Sequence, residues 1–157
     1  MGRFLIAIIL ALLIQSAPRD ASAQGRSVDY YLTGGSELSV EFVDVKSIKI
    51  EGNIRKYWVE SHKVKPTEYG VSFSKSFYTA DCVNETNAMI YAAYYDALSN
   101  YLFGGESNQP KSRVVPGTVG DSTFQFVCAS PAERLQMDAR RVDNTFDAAA
   151  NWFADAP

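Results

Sequence analysis

The stretch PGTVGDSTFQFVC, Pro116 to Cys128, decides how this chain is read, because it ends in one of only two cysteines. Thr118, followed three residues later by Asp121, has the spacing of a capping box, in which side chains satisfy the free N–H groups of a helix start. Behind it, Val119, Phe124, Val127 and Cys128 fall roughly on one helical face. TFQFVC also alternates as a strand would, but the helix is the favoured reading.

The partner of Cys128 is sought first in the compartment. Arg3 and the apolar run Phe4 to Ile14 lead to Ala21-Ser22-Ala23, the pattern of a signal peptide cleaved after residue 23. About 11 apolar residues are too few to span a bilayer of ~30 Å. No cysteine precedes Cys82, so the leader does not end in a lipidated cysteine, and it carries no twin-arginine pair. The mature chain, 24–157, is therefore expected in the periplasm or outside the cell, without an integral membrane anchor. In an exported chain an even pair of cysteines makes a disulfide the default. Closing a loop of this length restricts the unfolded chain by roughly 4 kcal/mol. With one histidine and no CxxC, a thiolate metal site is disfavoured.

Removing Arg3, Arg19 and Asp20 leaves 13 basic and 17 acidic residues, a formal charge of −4. That balance argues against nucleic acid, whose phosphates need clustered Lys and Arg.

Along the mature chain, strand signals come first. VDYYL (Val28 to Leu32) stops at Gly34-Gly35, and Leu38, Val40 and Phe42 share one face of the next run. SIKI (Ser47 to Ile50) and IRKYWVE (Ile54 to Glu60) flank Gly52-Asn53, a hairpin turn. A fifth strand runs from Val71 to Asp81. Ala88 to Leu98 is ambiguous: its spacing slightly prefers a helix, its Tyr and Ile content a strand. Gly104 to Ser112 reads as a polar loop. Ser130-Pro131-Ala132-Glu133 has an N-cap, proline at the first helical position and glutamate at the third. It predicts a helix of some five turns from Pro131 to about Phe153, packing through Leu135, Val142, Phe146 and Phe153.

Three stretches carry a likeness to a known family. They are Phe42-Val43-Asp44 with Ser47-Ile48, Gly52-Asn53 and Trp58; Asp81-Cys82 with the tyrosine-rich run to Asp96; and Val115-Pro116-Gly117-Thr118 before the helix ending in Cys128. In this order they resemble the surface-adhesin protein E family of bacterial exported proteins. The resemblance covers about residues 28–130. It implies an α+β fold, a twisted antiparallel sheet of about six strands. A helix near the C-terminus lies on its concave face, tied by a disulfide between Cys128 and Cys82 at a strand end. It also makes 88–96 a central strand. The domains implied are a signal peptide (1–23), a protein E-like domain (24–130) and a C-terminal helical extension (131–157).

Residues with chemistry are scattered. His62, the one histidine, is expected at the surface beside Lys63 and Lys65. Asp44 and Ser47 suit an acid and a nucleophile, but no base supports Ser47, and a β-turn with Asp44 bonding nearby amides explains them better. No paired acids, calcium loop or phosphate-binding loop is present, and neither a cofactor nor an enzyme activity is expected. Strand tyrosines lean towards binding, with Tyr30, Tyr57 and Tyr94 as candidate anchors. Tyrosine also simply suits pleated sheets. The expected function is a non-catalytic binding or adhesion module recognising protein or a flat apolar ligand through one sheet face, with the C-terminal helices on the other. The alternative is an accessory envelope protein without a dedicated ligand.

Overall fold

A computed structural model describes residues 27–155; the leader reading of 1–23 lies outside them. The strands are β1 (Tyr30–Gly35), β2 (Ser39–Asp44), β3 (Lys49–Glu51), β4 (Ile54–Lys63), β5 (Phe73–Asp81), β6 (Thr86–Tyr95), β7 (Tyr101–Glu106), β8 (Ser112–Arg113) and β9 (Arg140–Val142). The helices are α1 (Val119–Cys128), α2 (Pro131–Arg134) and α3 (Thr145–Asp155). All the strands join one antiparallel sheet in the order β7-β6-β5-β4-β2-β1-β9, with β3 on β4 and β8 on β6. Six of these nine strands match the expected runs.

The ambiguous run 88–98 is strand β6, as the resemblance implies, and it lies one strand in from the β7 edge. Local helical spacing loses because Phe73 to Asp81 pairs with almost the whole run. The polar loop at 104–112 begins later than expected, since Gly104 and Gly105 pair with Ala93 and Ala92.

The opening stretch folds as its signals require. Thr118 Oγ1 accepts from Asp121 N at 3.2 Å, and the Asp121 carboxylate accepts from Gly117 N at 2.8 Å. Gly117 has φ +76°, a left-handed backbone that glycine adopts without a Cβ penalty. Phe124, Phe126 and Val127 then bury against Val43, Tyr57, Val59 and Ala80. Cys128, the last residue of α1, is bonded to Cys82 just after β5, 46 residues away, with Cα atoms 5.6 Å apart.

Successive residues of a strand point to opposite faces. Val43 lies under α1, so its neighbour Phe42 faces the other way, where Leu32, Val40 and Ala149 of α3 form a second core. The helices therefore cover opposite faces of the β1-β2-β4 half, correcting the expectation that they share one. Gly34 and Gly35 show how closely. A Cβ on Gly34 would lie 3.1 Å from Ser122 of α1, and one on Gly35 would lie 2.6 Å from the Trp152 indole of α3.

The five-turn helix is also overturned. Its start is real: Ser130 and Glu133 form both bonds of the capping box. Yet α2 stops at Arg134, whose guanidinium reaches back to the carbonyls of Phe126 and Val127 at the end of α1. Leu135, expected to pack, is 81% exposed. Residues 140–142 instead pair with Tyr30 to Leu32 and supply β1 with a second ladder. The helix restarts where Asn144 Oδ1 accepts from Phe146 N at 2.8 Å, a new N-cap.

Candidate functional site

Strand register arranges the face that carries α3. Trp58, Glu60 and His62 of β4 share it, opposite Phe77, Lys75 and Phe73 of β5. Those three pair in turn with Tyr91, Ala93 and Tyr95 of β6, and the last two oppose Gly104 and Tyr101 of β7. Three rows result. One is aromatic, with Trp58 5.2 Å from Phe77 and 6.1 Å from Tyr91 between ring centroids. Another runs from His62 through Phe73 and Tyr95 to Tyr101, with centroids 5.2, 4.8 and 5.9 Å apart. Between them lies a row of Glu60, Lys75, Ala93 and Gly104 that becomes small in its outer half. It forms a furrow between aromatic banks.

Helix α3 closes only the inner end of this furrow. Phe146 meets His62 at 4.7 Å and Phe73 at 5.0 Å, both edge-on. Beyond it the banks are open, with Trp58, Phe77 and Tyr91 half-buried and Tyr101 58% exposed. A Cβ on Gly104 would lie 2.6 Å from the Ala92 carbonyl and 3.2 Å from the Tyr101 hydroxyl, so the floor there is backbone with the Tyr101 side chain reaching over it.

At the covered end lies a buried polar centre. Glu60 accepts from His62 Nε2 at 2.7 Å, Tyr30 OH at 3.2 Å, Lys75 Nζ at 3.2 Å and the Thr145 hydroxyl. Burial alone would raise its pKa. The bonds from His62 and Thr145 and the Lys75 charge outweigh that and hold it at about 2. His62 is therefore not at the surface as expected: it is 5% exposed between Phe42, Phe73 and Phe146. The signal was available, since the alternation Trp58, Glu60, His62 runs past Glu60, where the strand was expected to end. His62 and Thr145 both bond the same carboxylate oxygen, a geometry that anchors α3 to the sheet.

The three candidate tyrosines are not brought together. Tyr30 lies half-buried on the α3 face, at Glu60. Tyr57 is on the opposite face, fully buried under α1 and stacked on Tyr78 at 5.8 Å. Burial pushes its phenol pKa up, and that of Tyr78 to about 12. Tyr57 thus presents no surface anchor. Tyr94 shares the α1 face but lies out on the wing, 4.8 Å from Phe103. Sequence reasoning missed Tyr91, Tyr95 and Tyr101 as a group, because only register shows which tyrosines align.

Asp44 and Ser47 form a turn. Asp44 Oδ1 accepts from Lys46 N and Asp29 N, each at 3.1 Å. Ser47 Oγ donates to the Asp44 carbonyl at 2.6 Å and accepts from Trp58 N at 2.8 Å, so its hydroxyl pins β4 to the turn. Among the described residues no group of three or more His, Cys, Asp or Glu is placed to hold a metal ion. None of their helices is long and apolar enough to cross a membrane.

No curated protein and no solved structure matches the chain. A family model does, over residues 30–129, from β1 to just past the disulfide-bonded end of α1. The chain belongs to the surface-adhesin protein E family.

Proposed function

We propose that this protein is a non-catalytic recognition module, exported to the periplasm or the cell exterior, that binds protein through the aromatic furrow. The open furrow carries the reading. Large half-exposed aromatics around a narrow floor match the composition of interface hot spots, and Lys75 adds one polar handle. Membership in a family of surface adhesins supports a surface or exported role of this kind. Of the three tyrosines named from sequence, Tyr57 is in the core, while Tyr30 at Glu60 and Tyr94 beside Phe103 stand outside the furrow's banks.

The test is binding to immobilised envelope and extracellular-matrix proteins, with a general hydrolase panel alongside. Tyr101→Ala and Tyr91→Ala should each weaken any saturable interaction, by about 30-fold if they are hot spots. Tyr69→Ala, 72% exposed but outside the furrow, should leave it unchanged. Binding that ignores Tyr91 and Tyr101 refutes the furrow. Turnover of a substrate abolished by Asp44→Ala in a folded variant refutes the non-catalytic reading.

A further inference from the structure

The C-terminal segment, which lies beyond the family-matched residues, packs on β1 and builds with it a second concavity at the opposite end of the sheet. It is a cleft of about 770 Å³ between α3 and the β1-β9 edge, within the range of small-ligand sites. Its floor is apolar: Leu32, Val142, Ala148 and Trp152. Its two ends carry opposite charge. Arg140 pairs with Leu32 in the β9–β1 register, which places the cationic end at mid-β1. The anionic end is at the β1–β2 turn, where Trp152 Nε1 donates to the Ser36 carbonyl at 2.9 Å. Glu37 is the next residue there, and Asp155 lies three residues after Trp152.

From Leu32 along β1 to Ser36, just past its end, is four residues, at most roughly 13 Å at ~3.3 Å each. Arg141 is already held by Asp29 at 2.7 Å and faces Asp143 at 3.6 Å. Among the described residues Arg140, Glu37 and Asp155 make no ion pair with one another.

We infer that this cleft binds a short extended peptide with free ends, its carboxylate at Arg140 and its ammonium at Glu37 and Asp155, over an apolar middle. Three or four extended residues span the distance, at ~3.3–3.6 Å per residue. A purely anionic amphiphile would bring its charge to Arg140 but would leave both carboxylates unmet. The assignment is independent of the furrow, from which β2 and α3 separate it.

The probes are the tetrapeptide Ala-Leu-Leu-Ala with free ends, the same peptide acetylated and amidated, and decanoate, added to millimolar concentration. The readout is the indole N–H signal of Trp152 by NMR in the isotope-labelled protein, assigned through backbone connectivity. The free peptide should shift it saturably, and capping both ends should weaken binding on the order of tenfold. Arg140→Gln, at an exposed residue, should weaken the free peptide and leave the capped one unchanged. Equal binding of free and capped peptides, stronger binding of decanoate, or no shift with any probe overturns the inference.

Discussion

Replacing Glu60 by glutamine tests the buried centre that holds α3 against the sheet. Glutamine keeps the size and one acceptor oxygen but mimics the protonated carboxyl. The ionised form is favoured in the folded state by a shift from 4.5 to about 2. At ~1.36 kcal/mol per unit, that is about 3 kcal/mol of stability tied to the charge. For a domain of this size, about 3–4 °C of Tm per kcal/mol makes it roughly 10 °C. The folded pKa is depressed, so the contribution is complete above the unfolded value. It is lost as pH falls through about 2. Urea unfolding of wild type and Glu60→Gln at pH 6, 4 and 2.5 should therefore show a gap near 3 kcal/mol that narrows steadily below pH 5. A gap that stays constant across this range refutes the argument, as does one below about 1 kcal/mol at pH 6. Either result would mean that shape, not charge, holds Thr145 and His62 in place.

Three further outcomes follow from the packing. Cys128→Ser should cost about 2–5 kcal/mol, and thiol labelling of the denatured, unreduced wild type should find no free cysteine. Asn144→Ala should cost about 1 kcal/mol by removing the N-cap of α3, with faster amide exchange confined to residues 145–155. Leu135→Asn should change stability by no more than about 0.5 kcal/mol, since the side chain is 81% exposed; a loss above 2 kcal/mol would restore the continuous helix.

The parts of the fold legible in sequence were those set by local chemistry. The Thr118 cap, the Gly52-Asn53 turn and the alternation of Val40 and Phe42 each depend on residues a few positions apart. The Cys82–Cys128 bridge followed from an even pair of cysteines in a chain read as exported, but the strand nature of 88–95 needed the family likeness, because spacing alone left that run undecided. What stayed hidden depends on distant partners. Arg140 to Val142 reads as helix until Tyr30 to Leu32 offers an edge to pair with. Glu60 is one glutamate among many until Thr145, 85 residues on, reaches it. The furrow was invisible for the same reason, since three strand registers must be known before its two banks line up.

The β1–β9 pairing has a consequence for how the molecule is made. Tyr30 and Val142, its outermost partners, lie at nearly opposite ends of the described chain. The outer edge of β1 therefore stays unpaired until residues 140–142 are in place, long after β2 has become available. Until then Tyr30 to Leu32 is an open template for a neighbouring chain. A product truncated before residue 140 keeps that edge for good and, even with its disulfide intact, should associate side by side.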